Sequence, residues 1–297
     1  MLVLGAGTIL GVSVGYHRLF AHRAFKTRGW VRVVLAIVGA MAAEGTVRRF
    51  VANHRRHHSH SDREGDPHSP HVHEDEGAWG AVKGFWHAHL GWFTNKHRVH
   101  PSEEKYAPEF CVPSGVRNVD RTNALWVALG LLLPAVIAGL WHGSWWSAGL
   151  GFLWGGVVRV FLVHHITWSI NSVCHLWGSR PYKSGDHARN NFIMGFIGMG
   201  EGWHNNHHAF PNSSRCGLRW WQFDAGWCVI WTLKQLGLAW DVRVPHEKRI
   251  AAAAREGRAE PVRNTIRRGA GSRPTSAGSG RSAIRGGRRR LGFRIRV

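Results

Sequence analysis

The chain is poor in cysteine and in acidic side chains. Its four cysteines form no Cys-x-x-Cys pair, which gives no disulfide framework and favours a reduced, cytoplasmic setting. Its 18 Asp and Glu residues face 39 Lys and Arg residues, a net charge of +21. This balance alone would suggest anionic partners such as nucleic acid or lipid headgroups. Because much of the excess lies in an Arg-rich carboxyl end, we expect membrane lipids and no nucleic acid partner.

Motifs of several common metal sites and targeting signals are missing as well. The sequence contains no His-Glu-x-x-His motif of a zinc protease and no cysteine set of a structural zinc site. The amino end has neither the basic start nor the small-residue cleavage site of a secretory signal. No flavin, haem or ferredoxin motif occurs. A redox function would therefore need electrons from a separate donor.

Long apolar runs are abundant, in a chain that is 44% hydrophobic and contains 17 tryptophans. Residues 123–141 and 145–163 are two such runs with tryptophans at their ends, and a short link joins them. A membrane helix needs about 20 residues, so the pair predicts an antiparallel membrane hairpin. The second run continues without Gly or Pro from residue 157 as far as His175. We therefore expect His175 to lie beyond the membrane surface.

Two other apolar runs are less clear. Residues 2–16 are shorter than a span of about 20 residues, and we interpret them as the second half of a helix in an amino-terminally truncated domain whose first membrane helix is missing. Residues 31–47 contain Arg32 and Glu44 and lie between histidine clusters, which favours a buried or interfacial helix, or a helical hairpin, over a span. We predict a membrane-bound domain over residues 1–250 and a disordered basic tail over residues 251–297.

Clustered histidines are the most informative feature of the sequence. Positions i, i+3 and i+4 share one face of a helix, and neutral imidazole is the commonest metal ligand among side chains. Nine rings from four segments exceed what one ion can hold, so they predict two metal ions. His60, just behind the second cluster, is left out. The nine are His17, His22, His54, His57, His58, His175, His204, His207 and His208.

The ligand type narrows the choice of metal. Calcium and magnesium prefer oxygen ligands, so imidazole-only coordination leaves iron, copper or zinc. We favour iron, because a two-iron centre that faces an apolar compartment can activate dioxygen against C–H bonds that side chains cannot attack.

In order and spacing, these clusters resemble the membrane-bound fatty acyl desaturases of the stearoyl-CoA (Δ9) type, in a bacterial-like form. The likeness covers residues 11–241 and is most specific at residues 171–182 and in Gly-Glu-Gly-Trp-His-Asn-Asn-His-His-Ala-Phe-Pro at residues 200–211. It implies an all-α integral membrane fold, with four membrane helices under a cytosolic helical cap that holds a polyhistidine di-iron site. The implied location is a bacterial cell membrane, with the active site on the cytoplasmic side.

The resemblance also implies a division of the ligands between two iron ions. One ion would be held by His17, His22, His58 and His208. The other would be held by His54, His57, His175, His204 and His207. Asn171 would hold a water at the first ion, and Phe50, Thr167 and Trp168 would line the substrate tunnel. Asp62, Asp66 and Glu201 are possible acceptors for the second ring nitrogen of ligand histidines.

The implied reaction is O2-dependent Δ9 desaturation of a saturated fatty acyl chain, with two electrons from an external donor such as a ferredoxin or a flavin reductase. The acyl chain could be linked to coenzyme A, acyl carrier protein or a lipid, because Ala52, Asn53 and Asn95 replace residues that contact coenzyme A in the animal enzymes. Two other functions stay open: a di-iron fatty acyl or alkane hydroxylase, and an inactive truncated metal-binding membrane protein.

Overall fold

The computed structural model describes residues 1–73, 76–94, 103–111 and 114–259, with side chains as far as residue 257. This part of the chain is mostly helical, and its one paired sheet is a short antiparallel pair, β1 with β2. The elements in chain order are α1 (Leu2–Ala21), β1 (Lys26–Thr27), α2 (Gly29–Ala40), α3 (Val47–His60), α4 (Gly77–His89), α5 (Glu103–Tyr106), α6 (Gly115–Arg121), α7 (Asn123–His142), α8 (Trp145–Leu176), α9 (Phe192–Ile197), α10 (His204–Ala209), α11 (Ala225–Gln235), β2 (Ala239–Trp240) and α12 (Glu247–Ala259).

Three helices in the described part of the chain are long and apolar enough to cross a membrane: α1, α7 and α8. Helices α7 and α8 form the predicted hairpin around Gly143, whose positive φ of 59° ends α7. The pair is in close contact, since a Cβ on Gly151 would lie 2.4 Å from the Pro134 carbonyl oxygen. Its outward side chains are large and apolar, as expected of a lipid-facing surface; Leu140 and Trp145, for example, are 80% and 94% exposed.

The second half of α1, Gly11–Ala21, is wound as a π-helix and is buried throughout. A Cβ on Gly11 would lie 2.6 Å from the backbone nitrogen of Gly39, so the absence of a side chain allows α1 to cross α2 closely. Helix α2 has only 12 residues, fewer than the roughly 20 that a span requires. This length agrees with the expectation that residues 31–47 form a buried or interfacial helix, or a helical hairpin, rather than a span.

Helix α3 begins at Val47 because two acceptors satisfy its first backbone N–H groups. The Thr46 hydroxyl accepts from Arg49 N, and the Asp120 carboxylate accepts from Val47 N and Arg48 N. The helix ends before Asp62, which has the left-handed φ of 56°. This turn directs the chain away just after the second histidine cluster.

Helix α12 corrects the predicted boundary of the disordered tail. We expected disorder from residue 251, but the helix Glu247–Ala259 includes residues 251–259. Its sequence contains a run of four alanines, and alanine has the highest helix propensity. The rest of the predicted tail lies outside the described residues.

Candidate metal centre

The structure brings all nine histidines into two adjacent groups. In each group, one nitrogen from every ring lies within 4.8 Å of the others. We call the first the five-histidine group: His17, His22, His54, His58 and His207. We call the second the four-histidine group: His57, His175, His204 and His208.

The helical twist of α3 and α10 decides which ring joins which group. On an α-helix, positions i and i+4 are roughly 40° apart around the axis, whereas adjacent positions are roughly 100° apart. His54 and His58, one turn apart on α3, therefore face the five-histidine group, and His57 faces the other. On α10, His204 and His208 face the four-histidine group, and His207 faces the five-histidine group. Helix α3 thus contributes two rings to the five-histidine group and one to the four-histidine group, and α10 contributes one and two.

This grouping corrects the division that the family resemblance implied. His54 and His207 lie in the same group as His17 and His22, and His208 lies with His57 and His175. The i, i+4 pairing on each of the two helices is the physical reason. The identity of the nine residues as metal ligands stays a prediction.

The π-helical end of α1 explains how His17 and His22 share one group. Five residues correspond to roughly 140° on an α-helix, which would separate the rings. In the structure His22 N donates to His17 O over 3.0 Å, the i to i+5 hydrogen bond of a π-helix. The ring centroids are consequently only 4.7 Å apart. Sequence spacing alone gave no sign of this winding.

Four carboxylates hold the Nδ1 atoms of four of the histidines. Asp62 accepts from His175 over 2.8 Å and Asp66 from His57 over 3.0 Å. Asp186 accepts from His208 over 2.5 Å, and Glu201 lies 2.7 Å from Nδ1 of His17. A proton fixed on Nδ1 leaves the Nε2 lone pair to face the group, as in many metal sites. Asp62, Asp66 and Glu201 were anticipated from the sequence, but Asp186 was not.

Neighbouring charges of opposite sign lower the pKa values of Glu201 and Asp66. Burial alone would raise the pKa of Glu201, but His17 and Arg18 lower it to about 2. Arg18 is in turn paired with Asp224 at 2.8 Å. Burial likewise opposes ionisation of Asp66, and the adjacent His57 brings its pKa well below the usual range.

The arrangement of the Nε2 atoms fits a bound metal ion. In the five-histidine group, successive Nε2 atoms lie 2.7 to 3.1 Å apart, in the order His22, His54, His58, His207 and His17. Ligand nitrogens at right angles on a metal ion, with bonds of about 2.1 Å, are separated by about 3 Å. In the four-histidine group, the Nε2 atoms of His57 and His208 are buried without a hydrogen-bond partner. Such unsatisfied atoms are expected where a metal ion binds.

The protonation equilibria favour the neutral imidazoles that metals require. Burial, followed by repulsion between neighbouring rings, lowers the pKa values of six histidines well below the usual range. These are His22, His54, His58, His204, His207 and His208. His57 differs, because the charge of Asp66 outweighs burial and raises its pKa.

A cavity adjoins both histidine groups, and its wall contains each predicted tunnel residue. It is lined by His17, His54 and His204, together with Phe50, Thr167, Trp168 and Asn171. Asn171 lies on α8 one turn before His175, and its role in holding a water stays a prediction. Partly buried Glu44 also lines the cavity and accepts a hydrogen bond from the Thr167 hydroxyl. The sequence analysis noted Glu44 only as an interruption of an apolar run.

Short α10 is held in place by the two asparagines between its histidines. Asn205 exchanges two 2.9 Å hydrogen bonds with the backbone of Tyr182. The Asn206 side chain donates to the Cys216 carbonyl and to Gln222. These bonds explain why the motif reads His-Asn-Asn-His-His, since a six-residue helix has little stability of its own.

Comparison with known proteins agrees with this geometry. The family model for fatty acid desaturase matches residues 1–242, which is most of the chain. The chain belongs to the fatty acid desaturase family. The likeness noted in the histidine motifs is thereby confirmed, as is the prediction of a helical fold with membrane-spanning candidates and histidine clusters.

The relatives of this desaturase family member have names that describe different reactions and substrates. It is 48% identical over 253 residues to the hex-5-enoyl-[acyl-carrier protein] acetylenase of Moorena producens (strain JHB), covering 85% of this chain and 78% of the relative. It is 39% identical to Delta-9 acyl-lipid desaturase 1 of Arabidopsis thaliana, over 80% of this chain and 72% of the relative. It is 35% identical to the sn-1 stearoyl-lipid 9-desaturase of Anabaena variabilis, over 80% of each.

Proposed function

We propose that this member of the family is a Δ9 acyl desaturase, which converts a saturated –CH2–CH2– unit into a cis –CH=CH– unit. The balanced reaction consumes O2, two electrons and two protons, and it releases two water molecules. The observation that carries the proposal is the cavity next to both histidine groups. It gives an acyl chain access to the place where nine imidazoles and four carboxylates are collected.

Two iron ions are the proposed cofactor, and when bound they would supply the activation of O2 that side chains cannot provide. The five-histidine group would hold one ion and the four-histidine group the other. Asp62, Asp66, Asp186 and Glu201 would keep their partner rings in the tautomer that presents Nε2. Two electrons would come from an external donor such as a ferredoxin or a flavin reductase.

The cavity wall is proposed to choose the bond that reacts. Phe50 stacks on the ligand ring of His54, with the ring planes 13° apart. Thr167 and Trp168 line the same cavity. Side chains that fix one segment of the acyl chain beside the histidine groups replace chemical activation by orientation.

We favour a lipid or an acyl carrier protein over coenzyme A as the substrate carrier. Ala52 and Asn53 occupy the positions of a coenzyme A contact in the resembled animal enzymes, and here they are buried, at 0% and 7% exposure. Buried residues of this type offer no surface charge to a nucleotide. The names of two relatives, which are acyl-lipid enzymes, support the same choice. Asn95 lies outside the described residues.

A second candidate reaction is the conversion of an existing double bond into a triple bond. The 48% identity with an acetylenase favours it. Hydroxylation uses the same metal type and would yield an alcohol instead.

Expression in a desaturase-deficient bacterial cell tests these alternatives. The cells would be fed saturated and monounsaturated chains in separate cultures, and the products would be mapped by mass spectrometry. We expect a cis Δ9 double bond from saturated chains, and no product from His57→Ala, which loses a ligand of the four-histidine group. An alkyne or an alcohol would identify one of the other reactions. Saturated chains that remain unchanged, despite bound iron and a competent donor, would refute desaturation.

The proposed location is a bacterial cell membrane with the metal centre on the cytoplasmic side. Three candidate spans support membrane insertion. Fusion of a reporter domain to the carboxyl end, with activity expected only in the cytoplasm, tests the orientation.

A further inference from the structure

We propose that a cleft beside the four-histidine group is the docking site for the electron donor, an acidic one-electron carrier protein. This inference rests on the proposed function. The cleft has a volume of about 470 Å³, and its wall includes Arg56, Asp62, Arg63, Glu64, Asp66 and His71. We call it the Arg56–Arg63 cleft.

The floor of the cleft is in direct hydrogen-bond contact with the histidines of the centre. Asp62 accepts from His175 Nδ1 over 2.8 Å, and Asp66 accepts from His57 Nδ1 over 3.0 Å. The two carboxylates are 2% and 0% exposed. A donor seated in the cleft is therefore separated from two rings of the four-histidine group by only one buried side chain each.

The outer rim of the cleft carries two arginines and one acid. Arg63 is exposed, Arg56 is partly exposed, and Glu64 is an exposed acid beside them. Arg63 also donates to the Gly185 carbonyl over 3.2 Å, which joins the rim to a neighbouring loop with exposed Arg180 and Lys183. Since Asp62 and Asp66 are buried, the positive side chains face an approaching partner. Such a surface attracts an acidic protein and orients it on approach.

An acyl carrier protein is also acidic, but the position of the cleft favours an electron carrier. The residues that line the cleft include none of those that line the acyl cavity within the described chain. A protein that delivers an acyl chain must reach that cavity, whereas one that delivers an electron needs only to approach the metal ligands. Two successive dockings, each with transfer of one electron, would supply the two electrons of the overall reaction and leave two oxidised carriers.

Binding measurements test the docking site independently of turnover. The iron-loaded, detergent-solubilised full chain would be titrated with a plant-type ferredoxin as the acidic probe, at low and high salt. The variants are Arg56→Glu, Arg63→Glu and the milder Arg63→Gln. Arg28→Glu is the matched control, because Arg28 is exposed and does not line the cleft. Iron content and reduction by dithionite would verify that each variant retains its centre.

We expect Kd for the ferredoxin to rise about tenfold or more in each charge-reversal variant, with a weaker salt dependence, chiefly through slower association. Arg63→Gln should show a smaller rise, and Arg28→Glu should bind like the wild type. Wild-type affinity in both charge-reversal variants would overturn the proposal. So would loss of binding to an acylated acyl carrier protein with ferredoxin binding intact. A wild-type protein that binds ferredoxin but forms no double bond would contradict the proposed function and leave the docking site supported.

Discussion

Replacement of Asp62 by asparagine should weaken the binding of one metal ion more than the binding of the other. The Asp62 carboxylate accepts three hydrogen bonds of 2.8 Å, from His175 Nδ1, His187 N and the Ser69 hydroxyl. Burial opposes its ionisation, but His175, His71 and the backbone N–H of His187 bring its pKa well below the usual range. The charged form therefore prevails at neutral pH and makes the His175 ring a stronger ligand.

An asparagine amide keeps the shape of the side chain but loses its charge. Loss of such a partner of a metal-bound histidine costs about 10-fold to 100-fold in metal affinity, or about 1.4 to 2.7 kcal/mol. We expect the direct loss at the four-histidine group and a smaller, indirect one at the five-histidine group, because the carboxylate of the latter, Glu201, is unchanged. Competition with a chelator, followed by metal analysis, should show two ions in the wild type and release of one of them at a lower chelator concentration in Asp62→Asn.

Asp241→Asn is a well-matched control. Asp241 shares the positive φ of Asp62, 49° against 56°, and asparagine tolerates that conformation well. Asp241 forms an ion pair with Lys26 over 2.7 Å, and both side chains are more than half exposed. The control should bind both ions like the wild type. If Asp62→Asn retains wild-type affinity for both ions, the reasoning about the carboxylate is refuted.

Three further predictions concern packing, pH and product. Gly11→Ala should lower the melting temperature, because its Cβ would lie 2.6 Å from the backbone of α2 and overpacking costs about 1 to 3 kcal/mol. The control Gly7→Ala should leave the melting temperature unchanged, because nothing lies within 4 Å of its Cβ. Equal melting temperatures of the two variants would contradict the close crossing of α1 and α2. Burial would raise the pKa of Glu109, but hydrogen bonds from Arg55 and Arg23 lower it to about 2. A depressed pKa gives stability that is present above the unfolded value and lost as the pH falls through the folded one. The stability advantage of the wild type over Glu109→Gln should therefore shrink between pH of about 5 and about 2, and a pH-independent difference would argue against these bonds. Phe50→Ala should yield products with the double bond at several chain positions, because it removes the ring that stacks on His54. An unchanged distribution of double-bond positions would show that Phe50 does not position the acyl chain.

The sequence was sufficient to find the nine histidines, because six of them have i, i+3 and i+4 spacing and the other three stand in motifs that follow the order of the resembled family. It also located the α7–α8 hairpin, since the apolar runs have the length of a membrane span. Asp62 and Asp66 could be predicted as hydrogen-bond acceptors of ligand histidines because they follow the second cluster closely in the sequence. These features depend on local spacing and composition, which require no knowledge of the tertiary fold.

Other features depend on contacts that no local pattern encodes. Asp186 lies 22 residues before its partner His208, and nothing near it suggests a role. The π-helical winding that unites His17 and His22 arises in a buried segment packed against α2 and α3. The helix at residues 251–259 was missed because the composition of the whole tail outweighed its run of alanines. The assignment of each ring to a group required the orientation of α3 relative to α10.

The opposite contributions of α3 and α10 have a mechanical consequence. Each helix supplies rings to both groups, so neither group can be opened without displacing a helix that also serves the other. An ion that orders the five-histidine group would fix the axial rotation of both helices, and the rings of the four-histidine group would then be positioned in advance. Coupling of this kind is reciprocal, which makes cooperative metal loading the expected behaviour of the pair.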